Sequence, residues 1–400
     1  IPRVWYGNAY SRSGGLTDYN RFRSYSDVIG PMPASSTADP HFFWLGPTSN
    51  YEVRSAWYGD AQGTDPSFEA PSSWRTNIAL DLLTTKGYDF TVEYNRDQIN
   101  EGVFYQDLGI TQTGTLADGR GTYTGAGDFW LSNTELGDTE AITFIMKKEW
   151  NDVHFMTAYT NMDSSDVYPL TSAQAESAYG YTQRWDGENL GAARSSFMVE
   201  HKFLATLDYT TQLIGENDTR FSLVFIRKSG EPYSVVFDEP GYNSVTGNSR
   251  FYADYSLAYI PTGASDPNVS FTSAAVATAV MAHVNSTGLS GYKGSHVPKN
   301  AFNSPWYSRL DLRITQDIKV FGDTKLVVFL DMLNLLNMID DESGIVREYS
   351  YNNSRQIIVD GVTSTGQFII SGVDPDDSLY IQNNDGQSAW NINLGFKYQF

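Results

Sequence analysis

The chain ends Trp390-Asn391-Ile392-Asn393-Leu394-Gly395-Phe396-Lys397-Tyr398-Gln399-Phe400. Trp390, Ile392, Leu394, Phe396, Tyr398 and Phe400 alternate with Asn391, Asn393, Gly395, Lys397 and Gln399. Successive side chains of a strand point to opposite faces, so this is a strand with one apolar and one polar face. The period recurs upstream. In 88–98, Tyr88, Phe90, Val92 and Tyr94 oppose Asp89, Thr91, Glu93, Asn95 and Asp97. In 75–83, Ile78, Leu80 and Leu82 oppose Arg75, Asn77 and Asp81. In 309–317, Leu310, Leu312 and Ile314 oppose Arg309, Asp311, Arg313, Thr315 and Asp317. Segments 139–150, 153–161, 201–213, 220–229 and 324–334 bring the candidates to nine. Segments 220–229 and 324–334 carry apolar residues on both faces and read equally as buried strands of a soluble sheet. Helical periodicity is nearly absent.

The connections between these segments sort into two kinds. Lys86-Gly87 and Asn151-Asp152 have two-residue hairpin chemistry, and 215–219 and 319–323 are also short. The alternate connections, 99–137, 162–200, 230–308 and 335–389, are long. Short turns on one side and long polar loops on the other define an outer-membrane barrel. Lipid offers no hydrogen-bond partner to the backbone, so strands cross it only in a closed barrel. About ten tilted residues suffice for one crossing. Tyr88, Trp150, Trp390, Tyr398 and Phe400 lie near strand ends, where aromatic girdles belong. The competing account makes them core aromatics of a soluble β-protein. The expected orientation has Lys86-Gly87 and Asn151-Asp152 periplasmic and 230–308 extracellular.

Composition narrows the function. The 400 residues carry 27 Lys+Arg against 47 Asp+Glu, a net charge of −20. No basic face is available for nucleic acid. At 40% hydrophobic and 14% aromatic residues, the chain is not of the disordered class. Zero cysteines exclude disulfides, cysteine nucleophiles and thiolate metal sites. The length suggests two or three soluble domains, and no apolar run approaches the roughly 18 residues of a membrane helix. The chain opens Ile1-Pro2-Arg3, without the features of a targeting segment. The expectation is that a targeting segment has been removed or, preferably, that these residues are the later part of a longer polypeptide.

The terminal strand, with Phe396, Tyr398 and Phe400 as its anchor, resembles the β-signal read by the outer-membrane assembly machinery. Further pieces follow in order: Ala117-Asp118-Gly119-Arg120-Gly121-Thr122-Tyr123 with Leu131-Ser132-Asn133-Thr134; Ser229-Gly230-Glu231-Pro232-Tyr233-Ser234; Ala258-Tyr259-Ile260-Pro261-Thr262-Gly263 with Asp266-Pro267; Ser304-Pro305-Trp306 leading into Arg309-Leu310-Asp311-Leu312-Arg313; and Phe329-Leu330-Asp331-Met332-Leu333-Asn334-Leu335-Leu336-Asn337. The ordered set, from about residue 75 onward, resembles the C-terminal barrel part of TonB-dependent receptors, most closely the Oar-like group; residues 1–74 match more loosely. The resemblance implies a 22-stranded barrel in a Gram-negative outer membrane, filled by a plug and coupled to an inner-membrane energy-transducing protein. It implies uptake of a large ligand, be it ferric chelate, oligosaccharide or peptide. The sequence holds nine strand candidates, no plug and no coupling box. That points to the C-terminal part of a receptor, with 1–74 an extracellular loop region and 75–400 the strands and loops. The alternative is a small complete barrel with strands hidden in 1–74 or 335–389.

On this reading Asp89, Glu93, Asp97, Arg309, Asp311 and Arg313 face the lumen, and Ile78, Leu80, Leu310, Leu312 and Leu394 face lipid. The expected partners are membrane lipid, the receptor's own plug, the energy-coupling protein, the assembly machinery and other surface proteins, with no nucleic acid. No catalysis is expected. His41, His154, His201, His283 and His296 show no metal-binding spacing, and no G-x-S-x-G nucleophile motif occurs. Asp163 with Asp166, Asp340-Asp341-Glu342, and Asp374, Asp376 and Asp377 are acidic clusters; the last three are the weak Ca²⁺ candidates. A solvated repulsive surface is the blander and preferred account. Residues 271–283, FTSAAVATAVMAH, read as a short loop helix that packs locally. Trp5-Tyr6 and Trp57-Tyr58 suit stacking on sugars or aromatic chelates. A passive or adhesive surface barrel and a rim-site barrel enzyme are the other functional classes.

Overall fold

A computed structural model describes residues 62–108, 110–116, 119–125, 129–170, 175–186, 190–238, 255–322, 324–374, 380–382 and 386–400. The protein is mostly antiparallel β-sheet with few, short helices. No described helix is long and apolar enough to cross a membrane.

All nine candidate segments are strands: β1 (Ser72–Leu83), β2 (Tyr88–Asp107), β3 (Asp138–Trp150), β4 (Val153–Asp166), β5 (His201–Ile214), β6 (Asn217–Lys228), β7 (Tyr307–Phe321), β8 (Thr324–Leu333) and β9 (Asn391–Gln399). Each pairs antiparallel with the next, including the two ambiguous segments, now β6 and β8. Three short pieces, Gln62–Thr64, Phe129–Thr134 and Ala193–Arg194, extend this sheet to twelve strands. β1 starts at Ser72, three residues before the sequence pattern begins, and Gln62–Thr64 reaches the same sheet from further upstream.

Three turn readings change in detail; the connection read as 319–323 is shorter, because Phe321 already pairs with Thr324. The first hairpin spans four residues, with Gly87 N–H donating to Thr84 O at 3.0 Å and Thr84 N–H to Tyr88 O at 2.9 Å. Gly87 sits at φ 71°, which glycine adopts without steric cost. The third hairpin closes at Gly215-Glu216, because Ile214 already pairs with Asn217. The second is the expected two-residue turn, Trp150 opposite Val153. All four turns lie on one edge of the sheet and all long connections on the other, as the sequential pairing requires.

The long connections are folded. Pro232–Asp238, Val269–Phe271, Phe302–Asn303, Asn353–Val362 and Phe368–Val373 form a second, five-stranded sheet. Two of its pairings are parallel and join segments more than 80 residues apart. The helix Ala274–Ser286 packs on it, N-capped by the Ser273 hydroxyl accepting from Val276 N–H at 3.2 Å. This is the expected loop helix, shifted three residues onward at both ends. Val280 and Val284 enter a core with Val235, Phe237, Ile260, Val269, Ile357, Val359, Phe368 and Ile370. The largest buried cluster thus lies in the loops.

Candidate functional site

Register fixes the two faces of the main sheet. One row runs Leu82, Phe90, Met146, Thr157, Ala205, Phe225, Leu310 from β1 to β7. A second runs Trp150, Val153, Tyr209, Phe221, Ile314, Leu330, Leu394 from β3 to β9. Ile78, Leu80, Leu310, Leu312 and Leu394 share this face. Charge on it is confined to the margins: Lys148 at the turn edge, and Arg96, Asp138, Glu140, Asp163, His201 and Arg227 at the loop edge. Nothing described covers it. Leu80 is 69%, Leu394 76% and Phe396 77% exposed. In water such a continuous apolar surface is far beyond what a monomer tolerates.

The opposite face is polar. Asp89 lies in one row with Lys147, Met156, Thr206, Val224 and Asp311, so the acids of β2 and the charges of β7 share it. Arg75 pairs with Asp97 at 2.7 Å and Arg309 with Asp311 at 2.7 Å. Arg313 holds Asp331 (Nη2 to Oδ2, 2.8 Å) and Lys325 holds Asp317 at 2.9 Å. Hydrogen bonds that are not ion pairs fill the gaps: Asn77 with Asn95 at 2.6 Å, Thr91 hydroxyl to Asp81 at 2.6 Å and Thr143 with Thr160 at 2.9 Å. Apart from Arg309–Asp311, which lies within β7, these bonds run between strands and fix rotamers on the polar face.

The two sequence motifs nearest the C-terminus brace each other. Asn334 follows β8 in the left-handed region, φ 55°. Its N–H donates to Asp311 Oδ1 at 2.8 Å, and its amide donates to Gly344 O at 2.7 Å. Arg309 therefore steadies Asp311, and Asp311 steadies the turn leaving the sheet.

In the loop sheet, Asp266 accepts from Thr262 N–H at 2.7 Å, Thr262 hydroxyl at 2.8 Å, Asn268 N–H at 2.8 Å and Tyr259 hydroxyl at 3.2 Å. Burial raises its pKa, but these four donors overcome burial and hold it below the ordinary carboxylate value. The folded value is the lower one, so this stabilisation is complete above the unfolded pKa of about 3.9. It is lost as pH falls through the folded value. Asp266→Ala is expected to cost about 1–3 kcal/mol. Limited proteolysis within 255–307 at pH 7 checks it: the variant should be cleaved faster, and the difference should shrink on acidification.

Lys299, which the sequence did not single out, is a buried charge that ties its loop to the end of β4. Its ammonium reaches Asp166 Oδ1 at 3.2 Å and donates to Val167 O at 3.1 Å. Burial lowers its pKa, opposed by the Asp166 charge. Asn300 beside it donates to Arg194 O at 2.6 Å and Ser196 Oγ at 3.1 Å. Arg194 in turn reaches Glu200 at 2.9 Å. A 420 Å³ cleft lies next to this latch, lined among others by Asp97, Glu101, Asp166 and Tyr168.

The remaining sequence candidates are dispersed. His154 lies 3.4 Å from Glu149, His283 bonds Gln356 at 2.8 Å, and His296 sits among Trp185, Tyr259 and Phe368. Asp340 accepts from Ser343 at 2.7 Å within its own turn, and Glu342 pairs with Arg347 at 2.6 Å. Asp166 serves Lys299, which separates it from Asp163 in role. Asp374 N–H donates to Gln356 O at 3.0 Å. Asp376, Asp377, His41, Trp5, Tyr6, Trp57 and Tyr58 lie outside the described residues. Among the described residues no group of three His, Asp or Glu is placed to hold a metal.

No family model matches the chain, and no curated protein matches it.

Proposed function

We propose that these strands are the C-terminal wall of a transmembrane β-barrel in the outer membrane of a Gram-negative bacterium. The barrel acts as a TonB-dependent, energy-coupled receptor for a large ligand captured by its folded loops. The single observation that carries the membrane assignment is the apolar face, exposed and free of charge between its margins. Lipid is the solvent in which that surface is stable.

One feature supports a barrel, and one sets a condition on it. The residue rows climb across the sheet: Leu82 stands one residue from the turn end of β1, whereas Leu310 stands three residues from the loop end of β7. Such stagger is what tilted strands need to close. Second, β1 and β9 run in the same direction, so they cannot close the wall on each other as an antiparallel pair. An odd number of further strands between them restores the even count of bacterial barrels. The loop sheet supplies the receptor surface and the polar face the lumen; bond chemistry has no part in this reading. Ferric chelate, oligosaccharide and peptide are the candidate cargo classes.

The test is electrophoretic. The protein should be found in the outer-membrane fraction and migrate faster unheated than boiled. Recovery in the soluble fraction without detergent would remove the barrel.

A further inference from the structure

We propose that the loop-edge margin of the apolar face binds the phosphate of a membrane-lipid headgroup, through Arg227 braced on Trp306. The inference rests on the barrel reading above.

Four side chains from four neighbouring segments stack there in sequence. The Arg227 guanidinium carbon lies 5.3 Å from the Trp306 ring centre. Trp306 stacks on His201 at 5.8 Å and 5°. His201 stacks on Tyr159 at 6.1 Å and 17°, and its Nδ1 is 2.9 Å from the Tyr159 hydroxyl. Tyr159, Phe203, Arg227 and Ser308 occupy one row of the apolar face, so the ladder sits where that face meets the loops. The row beneath contains Thr157 and Ala205, small residues in a band otherwise dominated by Leu and Phe.

Arg227 has no counter-ion among the described residues; what sets it apart is its place on the rim of the apolar face, over an aromatic ring. Acids outnumber bases by 47 to 27, and Arg96 on the same margin pairs with Asp138 at 2.6 Å. Arg227 is exposed and makes no ion pair or hydrogen bond among the described residues. The nearest acid of the ladder, Glu200, lies 3.8 Å from His201 and is engaged by Arg194 at 2.9 Å and Asn303 at 2.8 Å. A guanidinium held over a ring by cation–π attraction keeps N–H groups for a planar, bidentate grip on phosphate oxygens. An ammonium offers no such fork. At the boundary between hydrocarbon and water, the anions present at high local concentration are lipid phosphates, whose acyl chains would follow the apolar rows downward.

Native mass spectrometry of the detergent-purified protein tests this, with phosphatidic acid, diacylglycerol of identical chains, and inorganic phosphate as probes. Wild-type protein should retain phosphatidic acid over diacylglycerol. Arg227→Gln should lower that retention about tenfold, the effect of losing about 1.4 kcal/mol. Arg227→Lys should recover part of it, and Trp306→Leu should weaken it with the charge intact. Equal retention by wild type and Arg227→Gln overturns the inference, as does displacement of phosphatidic acid by an equal concentration of inorganic phosphate. Heat-modifiable migration of the same preparations separates the two ideas. A folded barrel without phosphate preference removes only the lipid site; a protein soluble without detergent removes both.

Discussion

Leu312→Arg is expected to destabilise the membrane-inserted protein by about 2–4 kcal/mol, whereas Thr91→Arg costs much less. Leu312 stands midway along β7, in a row with Leu207, Leu223, Met332 and Ile392. Its neighbours offer a guanidinium neither water nor an acceptor. Thr91 lies on the opposite face, where its hydroxyl donates to Asp81 at 2.6 Å. An arginine there meets Asp81 and water. Urea unfolding in lipid vesicles, followed by tryptophan fluorescence, measures both. Equal losses would mean that the two faces do not see different solvents.

Deleting Phe400 is expected to abolish accumulation in the outer membrane while leaving little mark on the assembled wall. Phe400 is fully exposed, and its ring centre lies 6.1 Å from that of Tyr398. At the membrane boundary it buries part of its side chain, which contributes at most about 1–3 kcal/mol. On the barrel proposal its larger role is in delivery. β9 pairs with β8 from Leu333–Asn391 to Lys325–Gln399, and its other edge is unpaired among the described residues; on the barrel proposal that edge must be handed over protected. The expected phenotype is degradation before insertion, seen as loss of the heat-modifiable band in outer-membrane fractions. Wild-type levels of that band without Phe400 would show that residues 390–400 are not the assembly signal.

The strands were legible because each carries its evidence locally. Alternation needs only one face wetted and one face not, and residues 390–400 or 88–98 display that without reference to anything distant. The ends of strands were less legible. β2 runs on to Asp107 because Gly102–Asp107 pairs with Phe129–Thr134 instead of with β3. No period in 99–107 announces that change of partner. The loop sheet was invisible for a deeper reason. Ser234 pairs with Asn353 and Val269 with Phe368, so its parallel ladders join segments with no turn between them. Lys299 and Asp166 are likewise 133 positions apart, and either alone reads as a surface charge. The motif around Asp266 was visible as a pattern, but its reason, a carboxylate caged by donors two and four residues away, required coordinates.

Single-cysteine labelling tests the central claim, a membrane-spanning wall with its loops outside, most directly. The 400 residues contain no cysteine, so Ser265→Cys in the loops and Lys86→Cys in the first turn are each unique reporters within them. Both positions are exposed. With an impermeant maleimide on intact cells, Ser265→Cys should label at once, and Lys86→Cys only after the outer membrane is permeabilised. Labelling of Lys86→Cys in intact cells while Ser265→Cys stays protected would contradict the orientation, and equal labelling of both before permeabilisation would contradict the membrane-spanning wall itself.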